Sequence, residues 1–346
     1  MKCLKRLVFA IGLVATPCFS QGTTRHVDQM SITALGLECP NPANPAMGIQ
    51  GTGFIVSQNG TNYLISNWHV LAGREWPSTN TVLSQGTTRI VPTNVIIFYR
   101  KKDIGASKPI SEALYDSHGV ALWFEHPLGG TNVDVVALPL TVQDPEIQVF
   151  PLDLKLTDTD LFLGPASTVS IIGFPRNITK PGDVAIWKTG NVASDPELDF
   201  GNAPRFLVGV IVRPGMSGSP VIERSYGPYL NRDANGIVNG APINDRFLGV
   251  LSAYEGDNEL AFVWKPSVVS EILAARIRSS VRITQPFASV INHTRIHLAA
   301  AAALIFCGAM FGWWLYRNGH YRERRETRLR SAQRKTSSDN RVQSLS

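Results

Sequence analysis

The sequence predicts an all-β protein that closes with one short helix. Three observations lead there. Short runs rich in β-branched, aromatic and aliphatic residues recur along the chain, turn-forming clusters separate them, and a 44% hydrophobic share over 346 residues is enough to fill a core. The runs are 53–56, 63–66, 94–99, 135–138, 168–172, 206–211 and 247–251. Between them stand Gln58-Asn59-Gly60, Gly129-Gly130, Lys180-Pro181-Gly182-Asp183 and Asp233-Ala234-Asn235-Gly236, each a residue set that favours chain reversal. Many short strands at close spacing predict a sandwich or barrel. Pro266 opens a helical pattern through Ile277, because proline suits a first helical turn; this helix is placed at about 266–280.

Both ends of the chain read as membrane-directed. Lys2, Lys5 and Arg6 precede an apolar run, Leu7–Ala15, and small residues Cys18 and Ser20 suit a cut before Gln21, so 1–20 is expected to be a secretory signal. Proline at 17 argues against lipid modification of Cys18. The stretch 298–316 would reach about 28 Å as a helix at about 1.5 Å per residue. That is close to a hydrocarbon core of about 30 Å. Trp313, Trp314 and Tyr316 cluster at its end and Arg317 follows, the pattern of an interfacial belt with a positive cytoplasmic flank. A single transmembrane helix over 297–316 is therefore expected, with the basic tail 317–346 in the cytoplasm and residues 21–290 on the periplasmic or extracellular side of the plasma membrane. Gly308 and Gly312 have the spacing for close helix packing in a homodimer.

Charge and cysteine usage exclude other classes. The formal charge of +6 resides wholly in the tail, where nine Lys/Arg face three Asp/Glu; residues 21–316 are slightly acidic. Nothing indicates nucleic acid as a partner of the folded part. Anionic lipid is the natural contact of the tail. Of four cysteines only Cys39 falls within 21–290, so this part is expected to fold without internal disulfides.

Three segments carry chemistry. Gly215-Met216-Ser217-Gly218-Ser219-Pro220 is a glycine-flanked serine turn, in which a nucleophilic hydroxyl can be presented and the N–H groups of Gly215 and Ser217 can face a developing oxyanion. His69 lies in Tyr63-Leu64-Ile65-Ser66-Asn67-Trp68-His69-Val70, at the end of a strand. Asp134 heads the apolar strand Val135–Leu140. Asp116, before Ser117-His118-Gly119, and Asp103, in a Lys101-Lys102-Asp103 turn, are the other carboxylates considered between the histidine and the serine. The order His69, Asp134, Ser217 is that of chymotrypsin-type peptidases, not of subtilisin or the α/β-hydrolases.

Together with Gly51-Thr52-Gly53-Phe54-Ile55-Val56, these segments resemble the bacterial trypsin-like, HtrA-like serine peptidases over roughly residues 48–275. The resemblance implies a chymotrypsin-like fold of two six-stranded Greek-key barrels, about 27–150 and 160–265, meeting near 150–165. It implies His69 as base then acid, Asp134 as its orienting carboxylate and Ser217 as nucleophile. It further implies substrate contacts from Ile211, Ser252 and Tyr254, with Leu251–Tyr254 pairing substrate backbone by edge addition. Protein or peptide substrates and no cofactor follow.

The chain departs from the family in places. Met216 stands where the trypsins have Asp, and their Ile-Val-Gly-Gly start is missing, which excludes activation by a buried new N-terminus. Ser219 replaces a glycine, and no PDZ module is expected after 290. Ile211 would not pair a substrate Arg or Lys, so cleavage after small or medium apolar residues is expected. His293 and His297 lack a third ligand and 233–236 lacks the later ligands of a calcium loop, so no metal is expected. The rival reading is a catalytically silent domain of this type, acting as an extracytoplasmic binding or sensing module.

Overall fold

The computed structural model describes residues 27–283, apart from 78–80, 86–87, 103–104, 158–161, 227–229, 233–237, 241–242 and 256–258. The expected signal, the membrane span, Gly308, Gly312, the basic tail and Asp103 lie outside the described residues. Among those described, no helix is long and apolar enough to cross a membrane.

The molecule is mostly β, as its periodicity demands. Its C-terminal half holds a closed, fully antiparallel six-stranded barrel. Around it run Thr168–Gly173, Ile186–Val192, Arg205–Gly209, Leu260–Trp264, Ile243–Glu255 and Pro220–Tyr226, which pairs back to the first. Alternate residues point inward, so Val169, Ile171, Phe206, Val208, Val221, Leu251 and Val263 fill the interior. Met216 joins them, fully buried.

The N-terminal half departs from the six-stranded barrel the resemblance implies. It is a nine-stranded sheet built on the meander Ala34–Asn41, Asn44–Gln58, Thr61–Ser66 and Val136–Pro139. Asn94–Lys101 and Ser107–Ala113 extend one side and Phe124–Glu125 the other. The sheet curls until its sides meet through single contacts: the Leu122 N–H donates to the Leu114 carbonyl at 2.9 Å, and Tyr115 bridges Ala121. Leu37, Ile55, Leu64, Val95, Tyr99 and Trp123 fill the space inside. Cys39 is buried among them as a free thiol, its pKa pushed up chiefly by burial.

Each half borrows a chain end from the other. The short helix Gln29–Thr33 leads into the N-terminal sheet, yet Met30 and Ala34 pack on Ile172, Phe174 and Ile222 of the barrel. Asp28 pairs with Arg224, whose guanidinium also grips Asp245 at 2.6 and 2.7 Å and lies over the Trp187 ring. At the other end the helix covers Pro266–Ala275, shorter than expected, because Arg276 adopts a left-handed conformation (φ 51°) and donates its N–H back to Ile272. The chain then returns to the N-terminal sheet, where Ile277–Arg278 pairs Phe124–Glu125. The helix buries Val268, Val269, Ile272 and Leu273 in a core shared with Phe54, Ile65 and Val135 of one half and Phe247 and Trp264 of the other. Each such side chain contributes roughly 1.5–3 kcal/mol on burial. Two halves joined by a shared core and exchanged ends hold a common site at fixed geometry.

Candidate active site

His69 sits on a single turn of helix, Trp68–Ala72, that follows the strand Thr61–Ser66. The turn is short because Gly73 takes a left-handed conformation (φ 63°) and closes it. Trp68, Val70 and Leu71 anchor it in the N-terminal core and leave the imidazole at the surface of that core, 19% exposed. Beneath the turn lies Glu125, a buried carboxylate whose Oε1 accepts from the indole N–H of Trp68 at 3.0 Å and of Trp123 at 3.3 Å.

Asp134 is fully buried, and three donors converge on it. The His69 backbone N–H donates to Oδ1 at 2.9 Å, and His69 Nδ1 lies 2.7 Å from Oδ2. The Ser252 hydroxyl, from the barrel, donates to the same Oδ2 at 2.5 Å. An ionised carboxylate only accepts, so this arrangement places the imidazole proton on Nδ1 and leaves Nε2 as the acceptor facing outward. Asn67 fixes the approach, its side-chain amide donating to the Asp134 carbonyl at 2.6 Å.

The alternative carboxylate Asp116 is engaged elsewhere. It accepts from the His118 and Val120 N–H groups and from Arg278, and the Val120 N–H above all holds its pKa below the ordinary carboxylate value.

Ser217 lies on a turn held from two sides. Its carbonyl accepts from the Thr52 N–H at 2.8 Å, on the N-terminal sheet, while the Gly218 N–H donates to Leu251 at 3.0 Å, in the barrel. The Thr52 hydroxyl donates to the Gly215 carbonyl at 2.8 Å and accepts from the Phe174 N–H at 3.1 Å. Gly215 and Gly218 adopt φ of 96° and 87°, a region that favours glycine. Gly218 also needs its missing side chain: a Cβ there would stand 2.1 Å from the Thr52 carbonyl oxygen and 2.5 Å from Ser66 Oγ. The Asn67 N–H, two residues before His69, is 3.2 Å from the same point.

Among the described residues the Ser217 hydroxyl makes no hydrogen bond, to His69 or to any other group, and the N–H groups of Gly215 and Ser217 have no acceptor. Such bonds are commonly long in ligand-free sites and tighten on substrate.

The remaining sequence-predicted residues flank this turn. Ile211 is 49% exposed, while neighbouring Val212 packs against the barrel core. Ser252 and Ala253 fall where the register of Ile243–Glu255 on Leu260–Trp264 slips, between Leu251 and Tyr254. The Ser252 hydroxyl is committed to Asp134, so what Ser252 itself can offer a substrate is its backbone. Sequence reasoning did not single out Glu125, Asn67, Ser66 or the bridging role of Thr52. Only Thr52 left a signal, as a small polar residue between two glycines.

A family model described as the trypsin-like peptidase domain matches residues 51–227. No curated protein matches the chain. Among solved structures it is similar to the Rv3671c protease from M. tuberculosis in its active form, at 18% identity over 73% of this chain and 84% of that one, with a TM-score of 0.40. It is also similar to the protease Anisep from Arthrobacter nicotinovorans, at 12% identity over 70% and 94%, again with a TM-score of 0.40. Likenesses this loose carry no argument about chemistry.

Proposed function

Because the chain belongs to the trypsin-like peptidase domain family, we propose that it is a serine endopeptidase working through His69, Asp134 and Ser217. The observation that carries this reading is the His69–Asp134 pair. A fully buried carboxylate binds both the backbone N–H and Nδ1 of one histidine, beside a glycine turn that presents a serine. Nε2 takes the Ser217 proton as Oγ attacks the scissile carbonyl, and Asp134 stabilises the imidazolium that forms. The N–H groups of Gly215 and Ser217 hold the oxyanion. Nε2 then protonates the leaving amine, and water attacks the acyl-enzyme by the same route in reverse.

On the acyl side, the open edge at 252–254 pairs the substrate backbone, and Ile211 with Tyr254 favours a small or medium apolar residue before the scissile bond. The fold is chymotrypsin-like, with the curled nine-stranded sheet standing in the place of a first six-stranded barrel. The apolar stretch 297–316 serves as a single-pass anchor and holds the peptidase on the periplasmic or extracellular face, with Gly308 and Gly312 available for dimer packing and the tail against anionic lipid. This part of the reading is supported by the sequence pattern alone.

The test is hydrolysis of a mixed peptide library by the wild-type chain and by Ser217→Ala, both in detergent. Cleavage by the wild type that is lost in the variant supports the reading. Equal cleavage would exclude Ser217 as the nucleophile, and none by either chain leaves the domain as a silent binding module.

A further inference from the structure

A groove lies on the side of the Ser217 turn that Thr52 holds. It is lined by Glu38, Pro40, Met47, Ile49, Gln50 and Arg176. Both of its walls are tied to the turn through backbone. Gln50 lies two residues before Thr52, whose N–H holds the Ser217 carbonyl, and the Arg176 N–H donates to the Pro214 carbonyl at 2.8 Å. The Arg176 backbone nitrogen and Cβ stand 3.0 and 3.6 Å from where a Gly215 Cβ would lie.

Charge in the groove is unevenly committed. Glu38, on the N-terminal sheet, accepts from the Gln50 side-chain amide at 3.4 Å. Arg176 is exposed, and among the described residues its guanidinium has no ion pair, hydrogen bond or ring contact. Three other arginines are occupied: Arg100 by the carbonyls of Gly182 and Asp183, Arg224 by Asp28 and Asp245, and Arg278 by Asp116.

We infer that this groove is a subsite for the leaving-group side of the substrate, and that Arg176 makes it select an acidic residue there. The inference rests on the peptidase reading above. A strand lying along the open edge at 252–254 reaches Ser217 from the barrel side. Its continuation past the scissile bond leads towards Thr52, Gln50 and Arg176, because the turn is held by Leu251 of the barrel on the acyl side and then by Thr52 of the N-terminal sheet. At about 3.3 Å per residue an extended chain brings one of its first three leaving-side residues into the groove. A guanidinium with free donors binds a carboxylate there in preference to a neutral amide or a lysine.

The experiment uses the full chain in detergent and quenched peptides with a fixed acyl side. Asp, Asn or Lys is placed at each of the first three positions after the scissile bond. At one of these positions the wild type is expected to favour Asp over Asn in kcat/KM by up to about fivefold, the size of an exposed charge pair. High salt should shrink that ratio. Arg176→Gln should bring it to about one, and Arg176→Glu should invert it in favour of Lys. Because the readout is a ratio within each variant, partial misfolding does not imitate it. A wild-type ratio of one at all three positions, or a ratio that Arg176→Glu leaves unchanged, overturns the inference while the peptidase reading stands. No cleavage of any peptide overturns both.

Discussion

The Ser252 hydroxyl and the Asp134 carboxylate meet across the two halves of the molecule at 2.5 Å, on the same oxygen that receives His69 Nδ1. The carboxylate belongs to the N-terminal sheet and the serine to the barrel, so the orientation of His69 depends on how the halves are joined. A hydrogen bond to a charged group contributes about 1.5–3 kcal/mol. Ser252→Ala is therefore expected to lower unfolding free energy by about that much. With the carboxylate less firmly held, kcat should fall by about tenfold, equivalent to about 1.4 kcal/mol of barrier. Urea unfolding and steady-state kinetics measure the two effects; an unchanged kcat would show that the serine does not help orient the triad.

Gly218→Ala should be more damaging than its size suggests. The backbone at this point has φ of 87°, and the new methyl would enter the space of the Thr52 carbonyl and Ser66 hydroxyl. Strain of this kind costs on the order of 1–3 kcal/mol before the clash is counted. The expected result is a loss of more than about 2 kcal/mol in a urea titration, together with loss of activity. A variant of wild-type stability would contradict the described turn.

Glu125 is a buried acceptor for two buried indoles. Glu125→Leu leaves the Trp68 and Trp123 N–H groups without a partner, at about 1–3 kcal/mol for each unsatisfied group. Glu125→Gln keeps an acceptor oxygen and should recover most of that loss. Thermal melts followed by near-ultraviolet circular dichroism, which reports the tryptophans, distinguish the two. Equal destabilisation by Gln and Leu would mean that the negative charge, not acceptance, is what the site needs.

Asp116 gives a pH signature. Hydrogen bonds from the Val120 and His118 N–H groups and from Arg278 favour its ionised form and lower its pKa from the ordinary 3.8. A carboxylate with a depressed folded pKa stabilises the fold above its unfolded value, and that contribution is lost as pH falls through the folded value. Asp116→Ala should thus melt below the wild type at neutral pH, with the gap closing as pH is taken below 3.8. A gap that persists undiminished in acid would assign the effect to the turn alone.

Much of this site is legible in the chain because its residues obey local rules. The glycines around Ser217 are needed wherever a tight turn must present a side chain, whereas Asp134 is picked out over Asp116 and Asp103 only by resemblance to the family, whose carboxylate heads such an apolar strand. The role of Ser252 is not legible, since a serine within Val250-Leu251-Ser252-Ala253 reads as a tolerated small residue until its partner, far away in sequence, is known. The same holds for Asp28 with Arg224, 196 positions apart, whose pairing carries the start of the chain onto the barrel. Glu125, in Trp123-Phe124-Glu125-His126, has the composition of a surface acid, and only the curl of the sheet turns it inward. The strand Ala34–Asn41 is not legible either, because Gly36 and Pro40, residues disfavoured in strands, stand between Leu35, Leu37 and Cys39 and after them. Strand count and spacing give a sandwich or barrel, and only the family resemblance selects the closed barrel. The single-contact closure of the N-terminal sheet follows from neither, because it depends on register.

The central claim is that Ser217 is an activated nucleophile, and covalent labelling tests it most directly. The full-length wild type, treated with a fluorophosphonate and digested for mass spectrometry, should carry one phosphonyl group, on the peptide containing Ser217. His69→Ala and Asp134→Ala should label far more slowly, and Ser217→Ala not at all. An unlabelled wild type, or a Ser217→Ala variant labelled to the same extent, would contradict the account.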